Sequence, residues 1–349
     1  MIERPTFAGS VVVVGSINMD IAVTCERLPR PGETLLARSI LRSGGGKGAN
    51  QAVGAARAGG SRTTMVGAVG DDGDGTTLLA DLVADGIDIG AVARRTDLPT
   101  GTALITIDAQ AENTIVVAAG ANASVELGPE ALAAIGAADV VLAQLEIPQD
   151  VVTAAARARR PGALFVLNAA PSAPLRAELV DEIDLLIVNE HEAVDLAGSH
   201  HLPGSNDNTA SHDNAASHAP DELEAALAHL IGQFPAVLVT LGAQGARLLR
   251  HGADEIMVPA PRVMAIDTVA AGDTFCGVLA AWLAHGASEA EAMRAASAGA
   301  SLAVQRHGAQ SSVPTRAETL QQVRHAYAAV PADVPADLPA DLPEPPSRG

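Results

Sequence analysis

The 349-residue sequence predicts an α/β fold of three layers, with a mainly parallel central sheet flanked by helices and a small β-sheet lid. Short continuous apolar runs alternate with longer Ala-rich stretches of helical length, the pattern of strands buried on both faces. Hydrophobic residues make up 48% of the chain, enough for a large core. Two segments, 18–42 and 97–122, break the rhythm. There the alternation of Thr102, Leu104 and Thr106 among charged neighbours marks short strands with one wet face, expected to form the lid.

In chain order, VVVVG (11–15) supplies the first buried strand, and the Ala-rich pattern after Gly48 supplies a helix. TTMVGAV (63–69), VVLAQLE (140–146), LFVLNAA (164–170), LLIVNE (185–190) and AVLVTLG (236–242) read as further strands, with TALITID (102–108) and TIVVAA (114–119) in the lid region. Residues 198–220 are rich in Ser, Asn, His, Gly and Pro and are expected to be a disordered surface insertion. Its His200, His201, His212 and His218 have neither a fixed spacing nor a carboxylate scaffold, so a metal site is not favoured there. Residues 330–349 repeat Pro, Ala and Asp and read as a flexible tail, leaving one domain over 1–329.

Lys and Arg number 22 against 41 for Asp and Glu, and a formal charge of −19 argues against a nucleic-acid partner. The opening residues lack an apolar core, and the aliphatic runs are too short to span a bilayer. The expectation is a cytoplasmic protein with no membrane partner. Cys25 and Cys276 stand alone, without CxxC spacing, and read as buried reduced thiols.

Two motifs can carry chemistry. SGGGKGANQAVGAARAG (43–59) places four glycines around Lys47 ahead of a helix, where bare backbone and unpaired N–H groups can cradle a polar ligand. It serves equally as a glycine-rich turn before a core helix. It is not a P-loop, because Leu41 and Gly48 occupy positions that GxxxxGK[ST] reserves for Gly and for Ser or Thr. In IDTVAAGDTFCGVLAAWLAHG (266–286), Ala270, Ala271 and Gly272 are small enough to bare their amides to a transferring phosphoryl group. Asp273 then stands where a carboxylate can accept a proton from an attacking hydroxyl, or serves as an ordinary first-turn carboxylate.

Together GSINMD (15–20), PGET (31–34), GGGKGANQA (44–52), QLE (144–146), VNEHE (188–192), TLGAQG (240–245), DTVAAGDTF (267–275) and GAQSSVP (308–314) resemble the ribokinase family of carbohydrate kinases. The resemblance spans nearly the whole chain in order. It implies a kinase that uses ATP to phosphorylate O5 of a ribose-like sugar, with Asp273 as general base. Asn18, Asp20, Gly46, Lys47, Asn50 and Glu146 would bind the sugar. Asn189, Thr240, Gly242, Gly245 and the Ala270–Gly272 amides would hold the nucleotide, with Ser297 beside the adenine where the family often carries His or Asn. Glu192 would support Mg2+ through water. Asp267, Val269, Ala303, Arg306, Gly308 and Ser312 would enclose an activating K+, Arg306 through its carbonyl. The resemblance also implies a homodimer paired through the lid. A kinase of the same fold acting on deoxyribose, another sugar or a nucleoside remains open, whereas the intact AAGD (270–273) argues against a non-catalytic sugar or nucleotide sensor, which needs no base. A dinucleotide-dependent dehydrogenase is disfavoured because GSINMD stands where G-x-G-x-x-G would follow the first strand.

Overall fold

A computed structural model of the chain describes residues 9–110, 112–199 and 220–328. The first strand, β1 (Ser10–Val14), is the VVVV run, and Val11, Val13 and Val14 are wholly buried. It pairs in parallel with β4 (Arg62–Gly70) on one side and β8 (Val140–Ala143) on the other. Parallel pairing continues through β9 (Leu164–Asn168), β10 (Leu185–Asn189) and β11 (Ala236–Thr240), and from β4 to β5 (Asp88–Arg95). Two antiparallel strands, β12 (Ala246–Arg250) and β13 (Ile256–Val258), finish the nine-stranded sheet, in the order β13-β12-β11-β10-β9-β8-β1-β4-β5.

Helices cover both faces, as strands apolar on both sides require. Two core clusters result. One contains Val11, Val13, Met65, Leu142 and Ile187, and the other Val12, Val14, Val141, Phe165 and Leu186. The first face carries α1 (Lys47–Val53), which runs on as a π-helical segment, Gly54–Gly59, ahead of α2 (Gly73–Ala84). The chain continues with α3 (Pro129–Ala137), α4 (Gln149–Ala158), α5 (Ala177–Val180), α6 (Glu190–Ser199) and α7 (Pro220–Ile231). It ends with α8 (Ala271–Ala284), α9 (Glu289–Ala303) and α10 (Arg316–Ala326). Because α6 reaches Ser199 and α7 begins at Pro220, the ends of the insertion expected at 198–220 are helical; the rest of it, and the tail at 330–349, lie outside the described residues. Among those residues no helix is long and apolar enough to cross a membrane.

The lid is a separate four-stranded sheet, ordered β3-β2-β6-β7, of β2 (Asn18–Thr24), β3 (Ser39–Gly45), β6 (Gly101–Ile107) and β7 (Asn113–Ala118). It extends past the expected limit at residue 42, because Gly44 and Gly45 belong to β3 and are not part of a loop. At Gly45 a Cβ would lie 2.0 Å from Asp20 Oδ2, so the bare backbone makes room for that carboxylate.

Candidate active site

The parallel strands β1, β8, β9, β10 and β11 all end on one side of the sheet, the edge where α/β folds place ligands. Chain leaving those ends brings together Ser16 and Asn18, Gln144 and Glu146, Asn168, Asn189 and Thr240. From across this edge α1 contributes Lys47, Asn50 and Gln51, and α8 contributes Asp273. A cavity of about 140 Å³ is lined by Lys47, Asn168, Asn189, Glu192, Thr240 and Asp273, with Ala270, Gly272 and Cys276 among its other walls. A larger open depression of about 520 Å³ lies on the α4–α5 face, lined by Asp150, Arg157 and Arg176. It gathers no buried polar groups with unmet hydrogen bonds, so chemistry favours the smaller cavity.

On the lid side, Asn18 is 2% exposed and its Oδ1 accepts a hydrogen bond from Asn122 Nδ2 at 2.7 Å. Asp20 Oδ1 is buried and has no protein partner. Burial, with Glu146 and Asp273 nearby, pushes the Asp20 carboxyl up to about 7. Glu146 accepts the Lys47 N–H at 3.0 Å and the Ser16 hydroxyl, which fixes it at the start of α1. Gly46 caps α1 with φ +84, and a Cβ there would lie 2.8 Å from Asn18 N, so a side chain is excluded on both counts. Burial lowers the proton affinity of Lys47, but Asp273, Glu146 and Glu192 more than offset it, so the ammonium stays charged. It lines one cavity with Asn189 and Gly272, which the sequence reading assigned to the nucleotide, whereas Lys47 was expected among the sugar-binding residues.

At α8 the sequence VAAGD folds into a helix start preceded by Ala270 at φ +56, among the described residues the one non-glycine with positive φ. Holding alanine there costs about 1 kcal/mol. The turn donates Thr274 N–H to the Ala270 carbonyl at 2.9 Å and leaves the Gly272 and Asp273 amides without a backbone acceptor at the helix start. A Cβ on Gly272 would meet nothing within 4 Å, so the space above those amides is open. Asp273 is 8% exposed; its Oδ2 accepts from Asn50 Nδ2 and its Oδ1 from Gln51 Nε2, both at 3.0 Å.

Asn189 and Glu192 cap α6 reciprocally: Glu192 N–H donates to Asn189 Oδ1 and Asn189 N–H to Glu192 Oε2, each at 2.8 Å. Burial raises Glu192 above the usual carboxylate range. Gly242 has φ +51 and open space around it, whereas a Cβ on Gly245 would strike the Val258 carbonyl at 2.0 Å. Gly245 is therefore explained by the approach of β13, and Gly242 alone of the pair stands open to a ligand. Ser297 is 4% exposed on α9 and does not line the cavity.

The six residues expected around a monovalent ion come together beside α8. Asp267 accepts the Val269 N–H at 3.0 Å and the Gly308 N–H at 2.9 Å, and the Ala303 carbonyl accepts the Arg306 N–H at 3.0 Å. The Arg306 guanidinium turns away to Glu318 at 2.5 Å, and the Ser312 hydroxyl donates to the Ala309 carbonyl at 2.7 Å. Among the described residues no cluster of three His, Cys, Asp or Glu side chains forms a metal site by itself. The sequence reading missed Ser16, Gln51, Gln144 and Asn168. Glutamines inside apolar runs such as VVLAQLE were the available signal, because buried amides need partners.

A lidded α/β edge with acidic groups, one lysine and an open helix N-terminus defines a small-molecule kinase. The model of pfkB family carbohydrate kinases matches residues 8–316, and the chain belongs to that family. It is 37% identical to the ribokinase of Bacillus subtilis over 313 residues, covering 88% of this chain and 97% of that one. A Schizosaccharomyces pombe ribokinase is 34% identical over 319 residues, covering 88% and 96%. The structure of Arabidopsis thaliana ribokinase complexed with ribose and ATP superposes with a TM-score of 0.80 at 33% identity, covering 91% of this chain and 99% of that one.

The Asp20 carboxyl gives a testable pH dependence. Its value rises from 3.8 to about 7 on folding, so between those values the folded protein holds a proton that the unfolded chain has lost, and stability falls as pH rises. Asp20→Asn removes this slope. The Tm of the ligand-free variant should overtake that of the wild type by several degrees by about pH 8, while the gap narrows toward about pH 4. A gap independent of pH, measured by calorimetry, refutes the assignment.

Proposed function

We propose that the protein transfers the γ-phosphoryl group of ATP to O5 of D-ribose, giving ribose 5-phosphate and ADP. One observation carries the reading: Asp273 sits between the acidic lid-side pocket and the phosphate-sized cavity, its two carboxylate oxygens held by neutral amides. The ribokinase relatives support the choice of sugar. Asn18, Asp20, Asn50 and Glu146 offer acceptors and donors to hydroxyls, and Asp20 Oδ1 and Asn50 Oδ1 are buried oxygens without partners. A buried set of this kind rejects an analogue that lacks a hydroxyl.

In the reaction the 5-hydroxyl gives its proton to Asp273 as its oxygen bonds to the γ-phosphorus. The bond from that phosphorus to the β–γ bridging oxygen breaks, and ADP leaves. The Gly272 and Asp273 amides and the Lys47 ammonium offset the charge on the transferring group. Asn189, Thr240 and Gly242 border the nucleotide. Glu146, Glu192 and Asp273 surround a single lysine, an acidic, oxygen-rich setting that fits Mg2+, which Glu192 would hold through water. When bound it neutralises phosphate charge.

The loop of Asp267, Val269, Ala303, Arg306, Gly308 and Ser312 fits K+, because it is rich in carbonyl oxygens and its one guanidinium is turned to Glu318. The lid suits a homodimer. Strand register puts Leu41, Ile105, Ile115 and Val117 on the same face as Asp20, and Leu41, Ile115 and Val117 are 61%, 55% and 51% exposed.

An ADP-release assay over pentoses, hexoses and nucleosides should give D-ribose the highest kcat/KM, and Asp273→Asn should lower kcat by roughly a hundredfold or more. A better 2-deoxyribose, fructose or adenosine substrate reassigns the sugar, and undiminished turnover in the variant removes the base. Replacing sodium by potassium at constant ionic strength should raise kcat, with Asp267→Ala blunting the response; equal rates in potassium, sodium and a bulky organic cation refute the ion site. Sedimentation should find a dimer that Val117→Glu converts to monomer, and a wild-type monomer at micromolar concentration sinks the lid interface.

A further inference from the structure

The polar groups behind Asp273 form one directed chain. Gln51 is 0% exposed, and its Nε2 donates to Asp273 Oδ1 and to Asn168 Oδ1, each at 3.0 Å. Its Oε1 accepts from Gln144 Nε2 at 2.6 Å. Asn168 in turn donates through Nδ2 to the Ile187 carbonyl at 3.3 Å, which sets its own oxygen toward Gln51. No member can be turned over alone. If the Gln51 amide flipped, its oxygen would face both Asp273 Oδ1 and Asn168 Oδ1, while its nitrogen met the Gln144 donor. Two acceptor–acceptor clashes, one with a carboxylate and one with an amide oxygen, and a donor–donor clash in a buried site would each cost more than a hydrogen bond contributes.

Backbone packing allows this chain little slack. A Cβ on Gly277 would lie 2.3 Å from the Gln51 carbonyl oxygen, so α1 and α8 touch backbone to backbone where the two residues meet. A Cβ on Gly15 would lie 2.0 Å from Gln144 Oε1, so Gln144 rests directly on β1's exit. Gln51 does not line the cavity, so any effect it has on the reaction passes through Asp273 or through Asn168, and the double variant below tells the two routes apart.

We propose that Gln51, anchored by Gln144 and Asn168, is a positioning residue that fixes the rotation of the Asp273 carboxylate, so that the oxygen held by Asn50 is presented to the acceptor hydroxyl. The inference rests on Asp273 being the general base. A carboxylate free to rotate about its Cβ–Cγ bond presents the right lone pair only part of the time, and misplacement of a catalytic group by an ångström can cost up to roughly a hundredfold in rate.

The test compares Gln51→Met, which keeps length and volume but removes the donors, with Asp273→Asn and with the double variant. Gln51→Met should lower kcat with ribose by roughly tenfold to a hundredfold while both KM values stay within about threefold. In the Asp273→Asn background the same change should alter the residual single-turnover rate by less than about twofold, because the group through which it acts is gone. Wild-type kcat in Gln51→Met, a rise in ribose KM matching the fall in kcat, or an undiminished further loss in the double variant each overturns the proposal. Full turnover in Asp273→Asn instead overturns the general-base reading, so the two failures are told apart. Should Gln51→Met fail to fold, Gln144→Met, one bond further back, must show the same split between kcat and KM with a smaller loss; a normal kcat there overturns the proposal.

Discussion

The site depends on the close approach of two helix backbones. Asp273 begins α8, while Lys47, Asn50 and Gln51 lie on α1, and their side chains are too short to meet unless the helices nearly touch. Glycine permits this on both sides. A Cβ on Gly277 would collide with the α1 backbone, one on Gly54 would crowd the Thr274 backbone at 3.3 Å, and one on Gly59 would lie 2.3 Å from the Ala281 side chain. The widened π-helical turn, Gly54–Gly59, continues the same contact. Glycines inside helices weaken them locally, by about 1 kcal/mol each relative to alanine, and here they stand where a side chain would push the Asn50 and Gln51 amides away from the Asp273 carboxylate.

Once the helices are that close, burial sorts the ionisable groups. Lys47 stays charged because three carboxylates surround it, and Asp20 is pushed toward neutrality by burial first and then by Glu146 and Asp273. Cys276, one turn beyond Asp273, has its thiol raised well above the ordinary range by burial and by Asp273, so it is a protonated core group lining the cavity wall. The ligand-free pocket therefore carries unmet hydrogen bonds at Asp20 and Asn50, a stability cost that a polyhydroxylated ligand can relieve.

Much of this was legible in the sequence. The continuous apolar runs identified β1, β4 and β8–β11, and the Gly-rich and AAGD motifs marked the start of α1 and of α8. Edge strands were not legible: DIGAVARR in β5 is half exposed and carries charges, and β12 and β13 run antiparallel at the other edge, where apolar continuity fades. Small residues at 270–272 suggested bare amides, but the left-handed turn at Ala270 has no sequence mark, because alanine rarely adopts it. The buried amide chain was hidden for another reason. Its links join residues 93 and 222 positions apart, and only the assembled fold shows which glutamine meets which carboxylate.

Contacts also run from the helix pair to the lid. Arg57, on the π-helical turn that follows the substrate-side helix, pairs with Asp85 at the end of α2 at 2.6 Å and donates to the Gln310 carbonyl at 2.5 Å. The Gln310 side chain in turn lies over Gly44 of the lid strand β3, where a Cβ would be 2.5 Å from its oxygen. Gln310 stands two residues from Ser312 in the proposed ion loop. One half-buried guanidinium thus joins the α1–α8 helix pair, the loop of Gln310 and Ser312 and the lid within a few bonds. The Gln310 link runs through a backbone carbonyl and a bare glycine and so constrains main-chain positions, whereas Asp85 is held through its carboxylate.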